Sequence, residues 1–233
     1  MQPMPKNLKI LTWITLALFL MALYLALFYA PREARMGDVQ RVFYFHISNA
    51  WVGMLAFLVA AVAGGFYLAR RDARWDRIAL ASIEIGIVFA FITIASGSIW
   101  ARPIWNTWWT WDPRLVTYTV MELIYLAYML LRQGVEDPDR RARFGAVYGI
   151  VAFISVPITF FSIRVFRTIH PVVVGGGDES ILGAFHMTPP MLLAFFFSLF
   201  TFTIIYITLL WHRLRLEQLA ERVEAMKFES LSV

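Results

Sequence analysis

The 233-residue sequence contains no cysteine. This excludes disulfides, a CxxC redox pair, thiolate ligation of a metal and thioether attachment of a cofactor to this chain. Charge is also scarce: Asp, Glu, Lys and Arg make up 16% of the residues against 60% hydrophobic, which is a bilayer composition. The formal net charge of +5 does not point to nucleic acid. Its basic residues sit in short clusters between apolar stretches, where membrane topology explains them, so no nucleic-acid partner is expected.

What the sequence does contain is long apolar runs. A membrane-spanning helix needs about 20 mostly apolar residues, because the hydrocarbon is roughly 30 Å thick and a helix rises about 1.5 Å per residue. Six segments qualify, at residues 10–30, 47–69, 78–100, 113–131, 144–166 and 190–211. The first follows Lys6 and Lys9 but is longer than a signal-peptide core, so it reads as a retained helix. Lipid leaves no water to satisfy an open sheet edge, so the expected fold is all-α, an integral membrane bundle of six transmembrane helices.

Lysine and arginine set the expected orientation. Fourteen of them fall on the side of the N-terminus and the even-numbered connections, and seven on the other. Positive charge is retained in the cytoplasm, so both termini are expected to be cytoplasmic. Residues 31–46, 101–112 and 167–189 then form the external loops, carrying His46, a tryptophan cluster, His170 and His186. Asp112-Pro113 reads as an N-cap followed by proline at the first helical position. Pro103 is expected to end the third helix, Pro157 to kink the fifth, and Pro171 to leave His170 at that helix's exposed end. Residues 1–212 thus form the transmembrane domain. Residues 213–233 form a cytoplasmic amphipathic tail, with Leu216, Leu219, Val223 and Met226 at heptad-like spacing, which either docks on a partner or simply extends the sixth helix.

Five of nine tryptophans, Trp100, Trp105, Trp108, Trp109 and Trp111, fall within twelve residues. An interfacial aromatic belt spreads its rings over all helix ends, and Trp13, Trp51, Trp75 and Trp211 already do so. Crowded indoles form a rigid apolar shelf suited to a large flat ligand. Porphyrin also explains the histidines nearby, since neutral imidazole is a standard ligand of haem iron. His46, His170 and His186 are the candidate axial ligands, and His212, followed by Arg213, reads as an interfacial polar residue. Haem propionates require cations at the rim; Arg41 and Arg114 are placed for that, or else anchor helix ends at headgroups. Glu84 and Glu122 lie inside the third and fourth helices, where a carboxylate marks a proton or ion path or is protonated and hydrogen-bonded.

The run GSIWARPIWNTWWTWDPRL at residues 97–115, with YFHISNAW before the second span and VPITFFSIRVFRTIHP in the fifth, resembles the WWD-domain family of haem-handling membrane proteins. Within that family it is similar to the short, six-span CcmC type of the cytochrome c maturation system, and the resemblance covers most of the chain. It implies that residues 100–115 are the haem-binding WWD loop, including Asp112, and that His46 and His170 are the axial ligands, with His186 in second place. Ala101 and Asn106 stand where the family usually has glycine, and Pro113 where it usually has alanine. The resemblance further implies a haem-binding and transfer protein rather than an enzyme, holding haem b transiently and non-covalently at the outer face of the bacterial cytoplasmic membrane. Implied partners are the haem chaperone CcmE, the CcmA/CcmB ABC transporter, CcmD and membrane lipids. Two other classes compete. One is a bis-histidine b-type cytochrome electron carrier, whose histidines would face each other inside the bundle. The other is a proton-coupled small-molecule transporter using Glu84 and Glu122.

Overall fold

The computed structural model describes residues 3–171 and 187–231. His186 lies outside the described residues, as does the Gly175-Gly176-Gly177 run, whose sequence alone reads as a hinge after His170. The described chain is helical: α1 (Lys6–Tyr24), a π-helical turn (Leu25–Tyr29), a short 3-10 turn (Asp38–Gln40), α2 (Arg41–Arg70), α3 (Ala73–Trp105), α4 (Pro113–Gln133), α5 (Pro138–Phe153), α6 (Ser155–Val165) and α7 (Pro189–Leu231). Six helical stretches are long and apolar enough to cross a membrane, with α5 and α6 together making the fifth. Large side chains such as Trp13, Phe28, Phe91 and Leu130 point outward, as expected where the solvent is lipid.

Local chemistry sets the helix starts. Asp72, Asp112 and Asp137 each accept a backbone N–H two or three residues on (2.9, 2.9 and 2.7 Å), capping α3, α4 and α5. Pro113 and Pro138 follow two of these caps at the first helical position. Pro157 acts as expected. Its ring cannot coexist with the carbonyl four residues earlier, Phe153, and the helix breaks there into α5 and α6. Pro103 does not end α3, which continues to Trp105. The stop is Asn106, in the left-handed region at φ 56°, whose carbonyl and side-chain oxygens both accept from Arg102. Asparagine tolerates that conformation better than most other non-glycine residues.

The α2–α3 hairpin is the centre of the bundle. α4, α5 and α7 pack against it, α1 packs on α7, and α6 packs on α4 and α5. Because lipid tails are as apolar as leucine, helices associate here through close backbone approach and interhelical polar contacts. Small residues supply the approach: Ala50, Ala56, Ala60 and Ala63 on α2, and Ala79 and Ala90 on α3, are buried. A Cβ at Gly64 would come within 3.1 Å of the Ala146 carbonyl, and one at Gly86 within 2.5 Å of the Phe57 ring.

Two ion pairs tie the helices at the end opposite the Asp112 cap. Arg132 of α4 makes a bidentate contact with Asp76 of α3 (2.6 and 2.9 Å), and Arg213 of α7 another with Glu84 of α3 (2.6 and 3.0 Å). Glu84 is therefore a structural partner for Arg213. His212, read as interfacial, bonds Thr12 at 2.8 Å. The Arg132–Asp76 pair is the drier, with side chains 9% and 15% exposed. Removing one partner strands the other's charge, so Asp76→Ala is expected to lower stability in detergent by about 3–5 kcal/mol. Replacing both residues with apolar ones, Asp76→Leu with Arg132→Met, is expected to restore most of that loss, as measured by thermal unfolding.

Candidate functional site

At the end of the bundle marked by the Asp112 cap, α2, α3, α4 and the segment after α6 surround a cavity that opens to the outside. Its wall includes His46, Thr93, Gly97, Trp100, Trp105, Trp109, Arg114, Tyr118 and His170.

His46 does not precede its helix. α2 begins at Arg41, so the imidazole sits in the second turn, on the face toward α3. The 3-10 turn at Asp38–Gln40 feeds directly into α2 and extends the helix beyond its apolar run. Nδ1 of His46 lies 3.1 Å from the Ser96 hydroxyl. One residue on, Gly97 leaves room for the ring, since a Cβ there would sit 3.0 Å from His46 Cε1. Ser96 does not stand out in the sequence, and Gly97 does so only as the first residue of the tryptophan-rich run, because the role of each is defined by a partner about fifty residues away.

Asp112 fixes the second histidine. Besides capping α4, its carboxylate accepts from the Thr168 hydroxyl (2.7 and 2.8 Å) and from the backbone N–H of Ile169 (2.9 Å). Thr168 in turn accepts from the backbone N–H of His170 at 3.0 Å. His170 Nδ1 lies 3.2 Å from the Pro171 carbonyl. The two imidazoles come to face one another across the cavity, ring centroids 6.4 Å apart and planes inclined at 36°. Enclosure by the cavity wall, and then the Arg114 charge, push the His170 imidazole down to about 4, against the Pro171 carbonyl and Asp112, which raise it. His170 is thus neutral at physiological pH, with a lone pair available.

The tryptophans do not form one shelf. Trp100 and Trp105 belong to the last turns of α3 and meet edge to face (5.2 Å, 89°), with Trp105 also edge-on to His170 at 6.4 Å. Trp109 lines the cavity and meets Trp111 edge to face (6.1 Å, 88°). Trp108 and Trp111 turn outward, 57% and 85% exposed. The quadrupole of each ring favours this perpendicular packing over a coplanar sheet, and the short connection at residues 106–112 cannot aim every ring inward.

The two candidate arginines separate in the same way. Arg114 lines the cavity, donates to the Thr159 carbonyl, and makes no salt bridge among the described residues. Arg41 faces elsewhere. Its guanidinium donates to the Ala26 carbonyl at 3.0 Å, to the Leu27 carbonyl and to Asp38 at 3.0 Å, because the π-helical turn presents carbonyls that the helix does not use. The structure therefore gathers His46, His170, Trp100, Trp105, Trp109 and Arg114 around one cavity, with Asp112 behind them, and leaves Arg41, Trp108 and Trp111 outside it.

No cluster of three or more His, Asp or Glu suited to a bare metal ion occurs among the described residues. Two imidazoles with engaged Nδ1 and available Nε2 suit instead a metal that brings its own in-plane donors, leaving only axial positions to the protein. Their separation fits: two metal–nitrogen bonds of about 2 Å plus the two ring radii total roughly 6 Å. Asp112→Ala removes the α4 cap and the clamp on residues 168–169 together. It is expected to cost about 1 kcal/mol at the cap and to speed amide hydrogen exchange at Ile169 and His170 while leaving α2 unchanged.

Comparison with known proteins is consistent across the chain. A profile of the family described as "Heme exporter protein C" (CcmC) matches residues 2–229. The chain is 32% identical to Heme exporter protein C of Bradyrhizobium diazoefficiens, over 96% of this chain and 84% of that protein. It is 28% identical to the proteins of that name from Rhodobacter capsulatus (94% and 90% of the two chains) and Haemophilus influenzae (90% and 83%). With its six spans and a histidine-paired cavity at one end of the bundle, the chain belongs to the Heme exporter protein C (CcmC) family.

Proposed function

We propose that the chain holds haem b, without a covalent bond, in this cavity and passes it to the haem chaperone CcmE during cytochrome c biogenesis. The observation that carries the reading is the pair of facing imidazoles. Each is oriented through Nδ1 by a hydrogen bond, and they stand 6.4 Å apart in a cavity walled by indoles. Haem is the cargo. His46 and His170 supply its axial nitrogens, Trp100, Trp105 and Trp109 its apolar wall, and Arg114 a propionate partner. Arg114 suits that role because it is a cavity-lining cation without a salt bridge among the described residues. Trp108 and Trp111 stand outside the cavity, where they suit contact with the recipient chaperone.

In this reading the protein binds a ligand and hands it over, a transfer role in keeping with the family to which it belongs. The cavity opens at the helix ends instead of lying sealed within the bundle, which favours delivery over a resident electron-carrying haem. The proposed setting is the bacterial cytoplasmic membrane, with the cavity at the external face, both termini cytoplasmic, and residues 213–233 of α7 reaching into the cytoplasm. There the ABC transporter CcmA/CcmB and the small protein CcmD are the proposed partners.

Purified wild-type protein is expected to show a six-coordinate haem spectrum. His46→Ala and His170→Ala each convert it to a five-coordinate form; unchanged spectra for both would refute the ligand assignment. Gly97→Ala pushes on the His46 ring without removing it and is expected to weaken haem binding about 10-fold, the lower end of the effect of disturbing a ligand's support.

Sidedness has a separate test, because the chain lacks cysteine. A single Trp111→Cys at the exposed ring position should react with a membrane-impermeant maleimide in intact spheroplasts. Reaction only after lysis would invert the topology.

A further inference from the structure

A polar stripe runs the length of α4. Arg114, Tyr118, Glu122, Tyr125, Tyr128 and Arg132 follow at intervals of three or four residues, so they share one face of the helix. From 114 to 132 the stripe covers about 27 Å at 1.5 Å per residue, close to the hydrocarbon thickness. Its ends are accounted for, by the cavity at Arg114 and by Asp76 at Arg132. Its middle is not.

Glu122 is 5% exposed, makes no salt bridge among the described residues, and its Oε2 has no hydrogen-bond partner there. The fully buried Tyr125 hydroxyl is in the same position. Nine residues into α4, Glu122 lies about 13 Å along the helix, near the middle of the bilayer. An ionised carboxylate without a cation at that depth is very costly, so the group is a carboxylic acid with a proton to exchange. Helical side chains lean toward the N-terminus, which aims the carboxyl at Tyr118, whose ring lines the cavity.

In the opposite direction the way is closed. The Phe57 ring lies flat on Tyr125, centroids 3.5 Å apart and planes within 3°, in space that Gly86 leaves free. Phe57 and Met121 are fully buried, and the Arg132–Asp76 pair with Tyr128 lies beyond them.

We propose that Glu122 is a proton site serving the cavity, reached through Tyr118 by a short water-bridged half-channel and closed toward the other membrane face by the Phe57–Tyr125 stack. The exchange balances. The Glu122 O–H breaks as a bridging water gains its proton, that water passes one on past Tyr118, and water at the cavity mouth receives it. Glu122, left as carboxylate, is reprotonated along the same route from water at the cavity mouth. The site depends on the cavity and not on which ligand fills it.

The test uses the full-length, haem-free protein in lipid nanodiscs. Infrared difference spectra on transfer from H2O to D2O are expected to show a protonated-carboxyl band, absent in Glu122→Gln, that shifts within minutes. In Tyr118→Phe the shift slows about tenfold or more. A band that stays unshifted for hours, the lack of any band assignable to Glu122, or wild-type exchange in Tyr118→Phe would each overturn the proposal. The closed side is read in liposomes under a pH gradient. Wild type is expected to hold the gradient, and Phe57→Ala to leak protons about tenfold faster, a leak that adding Glu122→Gln removes. A leak of equal rate in wild type and Phe57→Ala, or one that survives Glu122→Gln, would disprove the half-channel. Because no haem is present, these outcomes stand apart from whether the cavity binds haem.

Discussion

One carboxylate holds the site together. Asp112 caps α4, accepts from Thr168 and accepts from the backbone of Ile169, so a helix start and a segment some fifty-six residues later share one anchor. Without it, the chain after α6 has no reason to bring His170 to within 6.4 Å of His46. Three hydrogen bonds to an ionised acceptor in a half-dry setting are individually stronger than neutral ones, and they constrain the same few atoms. The placement of His170 is thereby set from behind the cavity wall.

The other wall depends on how closely α2 and α3 approach. Alanine and glycine along their contact let the backbones come together, and at Gly97 the same economy of side chain makes room for an imidazole. The close packing that substitutes for the hydrophobic effect in lipid and the positioning of His46 therefore come from one stripe of small residues. Ser96 adds direction by engaging Nδ1.

Much of this was legible in the sequence, for identifiable reasons. The six spans declare themselves because an apolar run of that length has no other use, and Asp112-Pro113 and Pro157 act locally, through caps and a clash that need no tertiary partner. Helix ends were harder. α2 starts six residues before its apolar run and takes His46 inside, and α3 passes through Pro103 to stop at Asn106, because a left-handed residue braced by Arg102 terminates it more firmly than a proline in its last turn. The tryptophans marked the right region but not their roles, since ring orientation is decided by edge-to-face packing that spacing does not encode. Arg41 and Arg114 looked equivalent as sequence. Only the carbonyls of the π-helical turn, which take Arg41, tell them apart. The Asp112 clamp and the Ser96–His46 contact join residues far apart in the chain and leave no local trace.

The interruption at Ile154 divides the fifth span into two rods joined by a pivot. The upper rod, α6, carries Thr159, which receives Arg114, and leads straight into the strap that bears His170. The lower rod, α5, is keyed by Gly145 and Gly149 into Arg132, Tyr128 and Ile83, at the far end of the bundle. One half of the span therefore serves the cavity, through the carbonyl that accepts from Arg114 and the strap that bears His170, while the other half belongs to the frame at the far end of the bundle.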